Sequence, residues 1–144
     1  VIEIGPLRPD ERAAWDVLAR GYKEFYRTEV SGAGYDLAWE RIMAAGAVFG
    51  LGARLDGRLV GITHYLFHAT VWENDACYLQ DLFVDESVRG KGVARGLIEA
   101  VADEARKRDV SRLYWTTQEH NATARLLYDK VAKHNGFLRY DYPV

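Results

Sequence analysis

Apolar and polar positions alternate over Val1-Ile2-Glu3-Ile4, which predicts a short first strand. Arg8-Pro9-Asp10 then gives an extended residue, a fixed φ and an acidic first turn, the start of a helix. Ala14, Val17, Leu18, Gly21, Tyr22 and Phe25 follow at helical spacing, and Ser31-Gly32-Ala33-Gly34 is expected to break that helix. Tyr35, Trp39, Ile42 and Met43 mark a second amphipathic helix ending near Gly46, and the pair is expected to form a movable wall before the main sheet. From Ala47 to His68 the pattern reads strand, Asp56-Gly57, strand, a strong signal for a tight antiparallel hairpin. After the polar turn Trp72-Glu73-Asn74-Asp75, a third strand over Ala76 to Val84 continues the meander.

Beyond Val84 the grammar changes to a helix from about Val93 to Arg108, a strand over Arg112 to Thr117, a helix over Ala122 to Lys133 and a strand over Phe137 to Tyr142. A β-α-β run of this kind predicts a right-handed crossover between neighbouring parallel strands. The expected architecture is therefore α/β (α+β), a mixed and mostly antiparallel sheet with helices on both faces. No repeat or linker divides the chain, and 144 residues fit one domain, 1–144, able to bury roughly 68–70% of its unfolded surface without a disulfide or metal staple.

Composition narrows the function classes. The formal net charge is −2, and the 19 basic side chains form no stripe that could follow a phosphate backbone, which argues against a nucleic-acid partner. No apolar stretch is long enough to cross a bilayer, so no membrane role is expected. The single cysteine, Cys77, has no internal partner and no signal peptide is legible, so a reducing, cytoplasmic setting is expected. Because the chain opens on Val1 and not methionine, a short preceding segment is expected as well.

The segment most suggestive of chemistry is Arg89-Gly90-Lys91-Gly92-Val93-Ala94, between the strand Leu82-Phe83-Val84 and a helix whose apolar stripe is Leu97, Ile98, Val101 and Ala105. A helix start leaves N–H groups unpaired and carries about half a positive charge, so a diphosphate fits there if no side chain blocks it. Gly90, Gly92 and Ala94 give that clearance, and Arg89, Lys91 and Arg95 add positive charge. A loop that merely turns the chain is the plainer alternative. Nucleotide motifs fit worse: no Gly-Lys-Ser/Thr closes a Walker loop, and Gly96 falls out of register for Gly-x-Gly-x-x-Gly.

Here the chain resembles the GNAT superfamily of N-acetyltransferases, whose signature Arg/Gln-x-x-Gly-x-Gly/Ala is met by Arg89-x-x-Gly92-x-Ala94. The same order of elements runs through almost the whole chain. The resemblance implies acetyl-CoA as co-substrate, held in a central splay of the sheet. The backbone of Leu82, Phe83 and Val84 would pair with the pantetheine arm like an added strand, and amides from about Lys91 through Val93 to Arg95 would bind the pyrophosphate.

Asn121, Ala124 and Tyr128 share one face of the last helix, and this Asn-x-x-Ala-x-x-x-Tyr run resembles the family's second cofactor segment. By that resemblance Asn121 bonds to the pantetheine arm, Ala124 lets it pass closely, and Tyr128 faces the thioester sulfur. A tyrosine hydroxyl suits the last role because it can donate a proton to a departing thiolate while staying un-ionised at neutral pH. A core tyrosine packed by Leu127 and Val131 is the alternative. The family's usual Tyr-x-x-x-Gly-Phe spacing is lengthened here, from Tyr128 to Gly136-Phe137, which implies a helix about one turn longer.

The acceptor amine needs a proton acceptor. The strand Cys77 to Val84 resembles the polyamine and diamine acetyltransferase branch, in which a glutamate often stands where this chain has Gln80. Gln80 cannot take a proton, and its neighbour Asp81 is left as either the base or a structural anion, since neighbours on a strand face opposite ways. Tyr22, Phe25, Tyr26, Tyr35 and Trp39 form an expected aromatic wall for the acceptor, with Glu24 and Glu29 to attract a cation; core packing is the alternative for most. His64 and His68 share a strand face without metal-ligand spacing, so no metal is expected, and solvated positions are expected for them and for Glu119-His120. Cys77 is as well read as a small buried residue as a nucleophile.

The sequence thus points to direct acetyl transfer from acetyl-CoA to a primary amine of a small molecule, with a homodimer as the expected assembly. A peptide or protein N-acetyltransferase and a non-catalytic acyl-CoA-binding module are the alternatives.

Overall fold

A computed structural model describes residues 1–144. Five strands form one sheet in sequence order: β1 (Ile2–Pro6), β2 (Val48–Leu55), β3 (Arg58–His68), β4 (Ala76–Val84) and β5 (Arg112–Tyr114). The first four are antiparallel neighbours. Asp56 and Gly57, with φ of 52° and 80°, close the β2–β3 hairpin in the doubly left-handed geometry that matches strand twist. Four helices cover the faces: α1 (Arg12–Phe25), α2 (Gly32–Ala44), α3 (Val93–Lys107) and α4 (Ala122–Val131).

α3 is the crossover between β4 and β5, which run parallel as the β-α-β pattern predicts. Only Ala76–Tyr78 of β4 pair with Arg112–Tyr114, so from Leu79 to Val84 the β4 edge has no strand beside it and the sheet splays. Val93, Leu97, Ile98, Val101 and Ala105 of α3 form a core with Val60, Cys77, Leu79 and Val84 on one face of the sheet. Trp15, Leu18 and Ala19 of α1 and Tyr35, Trp39 and Ile42 of α2 form a second core with Leu7, Leu59 and Ile62 on the other. The expected α/β layering, with helices on both faces, is the observed one.

Several local expectations need correcting. Ser31 ends no helix; its hydroxyl accepts from Gly34 N at 3.1 Å and caps α2, which takes in Gly32 to Gly34. β5 stops at Tyr114 and α4 at Val131, both short of the residues expected. The strand expected over Phe137 to Tyr142 is absent: Gly136 has φ 81°, Asn135 Oδ1 accepts from Phe137 N at 3.0 Å, and the chain beyond this turn has no ladder partner.

Arg54, 2% exposed, ties the start of the chain to β2. Its guanidinium donates to Glu11 through Nε at 2.9 Å and also to the carbonyls of Gly5, Gly52 and Pro6, so this buried charge is fully partnered.

Candidate active site

The ladder between β3 and β4 slips by one residue. His64 pairs with Asp81 while Tyr65 pairs with Leu79, so Gln80 is the extra residue of a β-bulge. The bulge rephases the strand: Cys77 and Leu79 point toward α3 before it, Leu82 and Val84 after it, and Phe83 packs on the α1 side. Asp81 thereby faces α1, and the simple alternation that left its direction open does not hold here.

Asp81 lies inside a hydrogen-bonded chain. His64 Nδ1 is 2.8 Å from Asp81 Oδ2, and Trp15 Nε1 donates to His64 Nε2 at 2.9 Å. Tyr22 of α1 approaches the same carboxylate, with Lys23 contributing its charge. Burial alone would raise the Asp81 carboxyl, but the hydrogen bond with His64, the Tyr22 hydroxyl and the Lys23 charge outweigh it and hold the group below the usual carboxylate range. Conversely, burial and the Asp81 charge push the Tyr22 phenol far above the ordinary tyrosine value, so it is a neutral donor. No neighbour in sequence marks His64; its partner is 17 residues away and meets it only through the bulged register. The solvated position expected for it is corrected, since it sits between buried Trp15 and Asp81.

The tyrosines continue from this chain toward the splay. Tyr22 and Tyr26 rings lie 4.9 Å apart, and Phe83 meets Tyr22 edge-on at 6.4 Å. Gly21 makes room for Phe83, since a Cβ there would fall 3.0 Å from Phe83 Cζ. On α4, Tyr128 packs edge-on against Trp115 at 5.4 Å. Burial, with a smaller push from Tyr26, raises the Tyr128 phenol to about 12, so it carries its proton at neutral pH. Trp39 and Tyr35 do not reach this wall: both are buried in the second core, Trp39 at 5.2 Å from Trp15. Gln80 is exposed at the bulge, and Phe25 is exposed near the end of α1.

The glycine segment lies at the start of α3. Gly92, with φ 80°, is the N-cap and offers no capping side chain, so the first amides of α3 lack the usual partner. A Cβ at Gly90 or Gly92 would meet nothing within 4 Å, and both have positive φ, so the loop is an open, side-chain-free cradle at the positive end of a helix. Lys91 and Arg95 are exposed around it, and Ala94 is half-buried. Arg89 stands 6.0 Å over the Phe83 ring and 3.6 Å from the Glu86 carboxylate. Val93 turns its side chain into the core, leaving only its backbone for a ligand. The unpaired edge Leu79–Val84 leads to this cradle, and the backbone of Leu82, Phe83 and Val84 lies along it. Asn121 caps α4 through long contacts, 3.5 Å from Ala124 N and 3.4 Å to Thr117 Oγ1. An open strand edge, a glycine cradle and a bare helix start fit the arm and diphosphate of an acyl-CoA.

Residues 13–132 match the Acetyltransferase (GNAT) family. The chain belongs to this family. It is 33% identical over 135 residues to the D-amino-acid N-acetyltransferase HPA3 of Saccharomyces cerevisiae, covering 91% of this chain and 84% of the yeast protein. A thialysine N-epsilon-acetyltransferase of Caenorhabditis elegans is 29% identical over 85 residues, 59% of this chain and 53% of that one. Among solved structures, the ribosomal-protein-alanine N-acetyltransferase of Brucella melitensis biovar Abortus 2308 aligns over 100% of both chains with TM-score 0.80 and 26% identity. The aminoglycoside N-acetyltransferase AAC(6')-Iy in complex with CoA shares the fold at TM-score 0.87 and 18% identity, over 99% of this chain and 95% of that one. This GNAT protein is accordingly an N-acetyltransferase with acetyl-CoA as co-substrate. Cys77 is fully buried and its thiol is pushed up to about 11 by burial, a poor nucleophile.

Proposed function

We propose that the chain acts as a single catalytic domain that moves the acetyl group of acetyl-CoA directly to the primary amine of a small molecule, a free amino acid or a close analogue. The observation that carries this reading is the ionised Asp81 carboxylate, partly buried at the bulge and ringed by the neutral hydroxyl of Tyr22 and the charge of Lys23. Such a carboxylate attracts an ammonium group and can receive its proton as the amine nitrogen bonds to the acyl carbon. The yeast relative acts, by its name, on D-amino acids and the worm relative on thialysine, which supports an acceptor of this class.

Acetyl-CoA supplies the acyl group as an activated thioester. The amides of Lys91 to Arg95, with Gly90 and Gly92 clearing the approach and Arg89 nearby, are assigned its diphosphate, and Leu82, Phe83 and Val84 its pantetheine arm. Asn121 and Ala124 border that arm. Tyr128 is the proton donor for the sulfur as it leaves, a role that fits its protonated phenol. Tyr22, Tyr26 and Gln80 line the acceptor side; Trp39, expected there from sequence, supports α1 from behind.

The same reading takes the reducing cytoplasm as the setting, in keeping with one buried free thiol, and a homodimer as the assembly; nucleic acid and membrane have no part in it. No helix is long and apolar enough to cross a membrane. A free-thiol assay with acetyl-CoA against amino acids, diamines, aminoglycosides and peptides tests the acceptor class. Thiol release with free amino acids supports the proposal. Release with peptides alone would move the chain to protein substrates, and binding without release would make it an acyl-CoA-binding module.

A further inference from the structure

The indole of Trp15 is a hydrogen-bond donor only, and it points at His64 Nε2 from 2.9 Å. Nε2 must therefore present its lone pair, and the single ring proton belongs on Nδ1, which faces Asp81 Oδ2 at 2.8 Å. Trp15 is 1% exposed and clamped by Tyr35 and Trp39, at ring distances of 6.4 and 5.2 Å, so its N–H has no freedom to turn elsewhere. Both nitrogens of His64 are thus used inside the protein. Neither is free to accept a proton from a substrate, which separates this arrangement from a histidine base oriented by an aspartate.

Resting on the acceptor reading above, we propose that Trp15 is a positioning residue that holds His64 in its neutral, Nδ1–H form so that Asp81 keeps an unshared negative charge for a cationic amine. A proton arriving at Nε2 would face the indole N–H, donor against donor, in a site with no room for a water between them at 2.9 Å. Without the indole N–H, nothing in the geometry keeps a proton from Nε2, and a proton there would pair the carboxylate with its own neighbour. The other groups facing Asp81 do not replace the indole's role. Tyr22 and Lys23 come from α1, with Tyr26 and Tyr78 around Tyr22, and none of them contacts His64 Nε2.

The test combines a spectroscopic and a kinetic readout. Long-range proton–nitrogen spectra of protein labelled with nitrogen-15 histidine are recorded at pH 7 for the wild type and for Trp15→Phe, which keeps an aromatic ring and removes the N–H. The expected wild-type pattern for His64, assigned by its loss in His64→Gln, is protonated Nδ1 and bare Nε2. An Nε2–H pattern in the wild type overturns the proposal whether or not Trp15→Phe folds. In acetylation assays with acetyl-CoA and the best amine of the panel, the ratio of KM for the amine at pH 6 to that at pH 8 should rise on the order of tenfold in Trp15→Phe relative to wild type. It should return to the wild-type ratio in Trp15→Phe/His64→Gln, where the side chain cannot take a proton. An unchanged ratio in Trp15→Phe, or a raised one that persists in the double variant, assigns Trp15 to packing alone. Absence of turnover with every amine would instead defeat the acceptor reading and leave the tautomer result standing.

Discussion

His64 and Asp81 face each other across the β3–β4 ladder at the pair where the register slips, with Nδ1 and Oδ2 2.8 Å apart. The slip turns Asp81 toward α1 and places Gln80 outside it. A regular ladder would give Asp81 the opposite face, away from Tyr22. The chemistry assigned to this protein therefore depends on one inserted residue in a strand, with the cofactor cradle on the far side of the same strand's end.

Tyr128→Phe keeps the packing on Trp115 and deletes only the hydroxyl. If Tyr128 protonates the leaving sulfur, kcat falls on the order of 10²–10⁴ while acetyl-CoA affinity stays nearly constant, because the interaction matters most in the transition state. Steady-state kinetics of Tyr128→Phe and Tyr128→Ala check this. Normal turnover in the Phe variant with damage only in the Ala variant would assign the ring to packing.

Gly92→Glu puts a side chain into the open cradle, a negative charge at the start of α3, and a non-glycine residue at φ 80°. Acetyl-CoA affinity, read by calorimetry, should drop more than about tenfold, with the folded state confirmed by circular dichroism. Unchanged affinity would place the diphosphate elsewhere.

Much of the fold was legible because it rests on local signals. The Asp56-Gly57 turn, the apolar stripe of α3 and the change from meander to β-α-β each carry a period or a turn residue that the structure keeps. The bulge was harder to see because it costs a single residue. Its trace is present in retrospect: apolar side chains step by two from Cys77 to Leu79, by three to Leu82, then by two to Val84. His64 has no partner close by in sequence, and register supplies one in Asp81. The aromatic richness of the first forty residues suggests an acceptor wall that includes Tyr35 and Trp39, whereas the face they occupy on α2 packs them onto Trp15. The order of elements after Val84 suggests a strand at Phe137–Tyr142, but element order alone gives no ladder; β5 ends at Tyr114, so it offers only three residues of edge.

The Glu11–Arg54 pair makes stability depend on pH. Glu11 is held below its ordinary value chiefly by the Arg54 hydrogen bond, against a smaller opposing effect of burial. A depressed folded value means the stabilisation is present in full above the unfolded carboxyl range, about 4.3, and is lost as pH falls through the lower folded value. Urea midpoints should fall between pH 6 and pH 3 in the wild type and less steeply in Glu11→Gln. At pH 7, Glu11→Ala should cost about 3–5 kcal/mol, since it strands the Arg54 charge, 2% exposed, without its carboxylate. A cost under about 1 kcal/mol would mean that the carbonyls of Gly5, Gly52 and Pro6 satisfy Arg54 unaided.

The most direct measurement is kcat/KM for the amine in Asp81→Asn, which keeps size and hydrogen-bonding reach while removing the charge and the proton acceptor. With acetyl-CoA saturating and its dissociation constant shown to be unchanged, a loss on the order of 10²–10⁴ is expected for a primary-amine acceptor. A variant that retains activity within about threefold of wild type would contradict it, because the carboxylate at the bulge would then neither hold the ammonium nor take its proton.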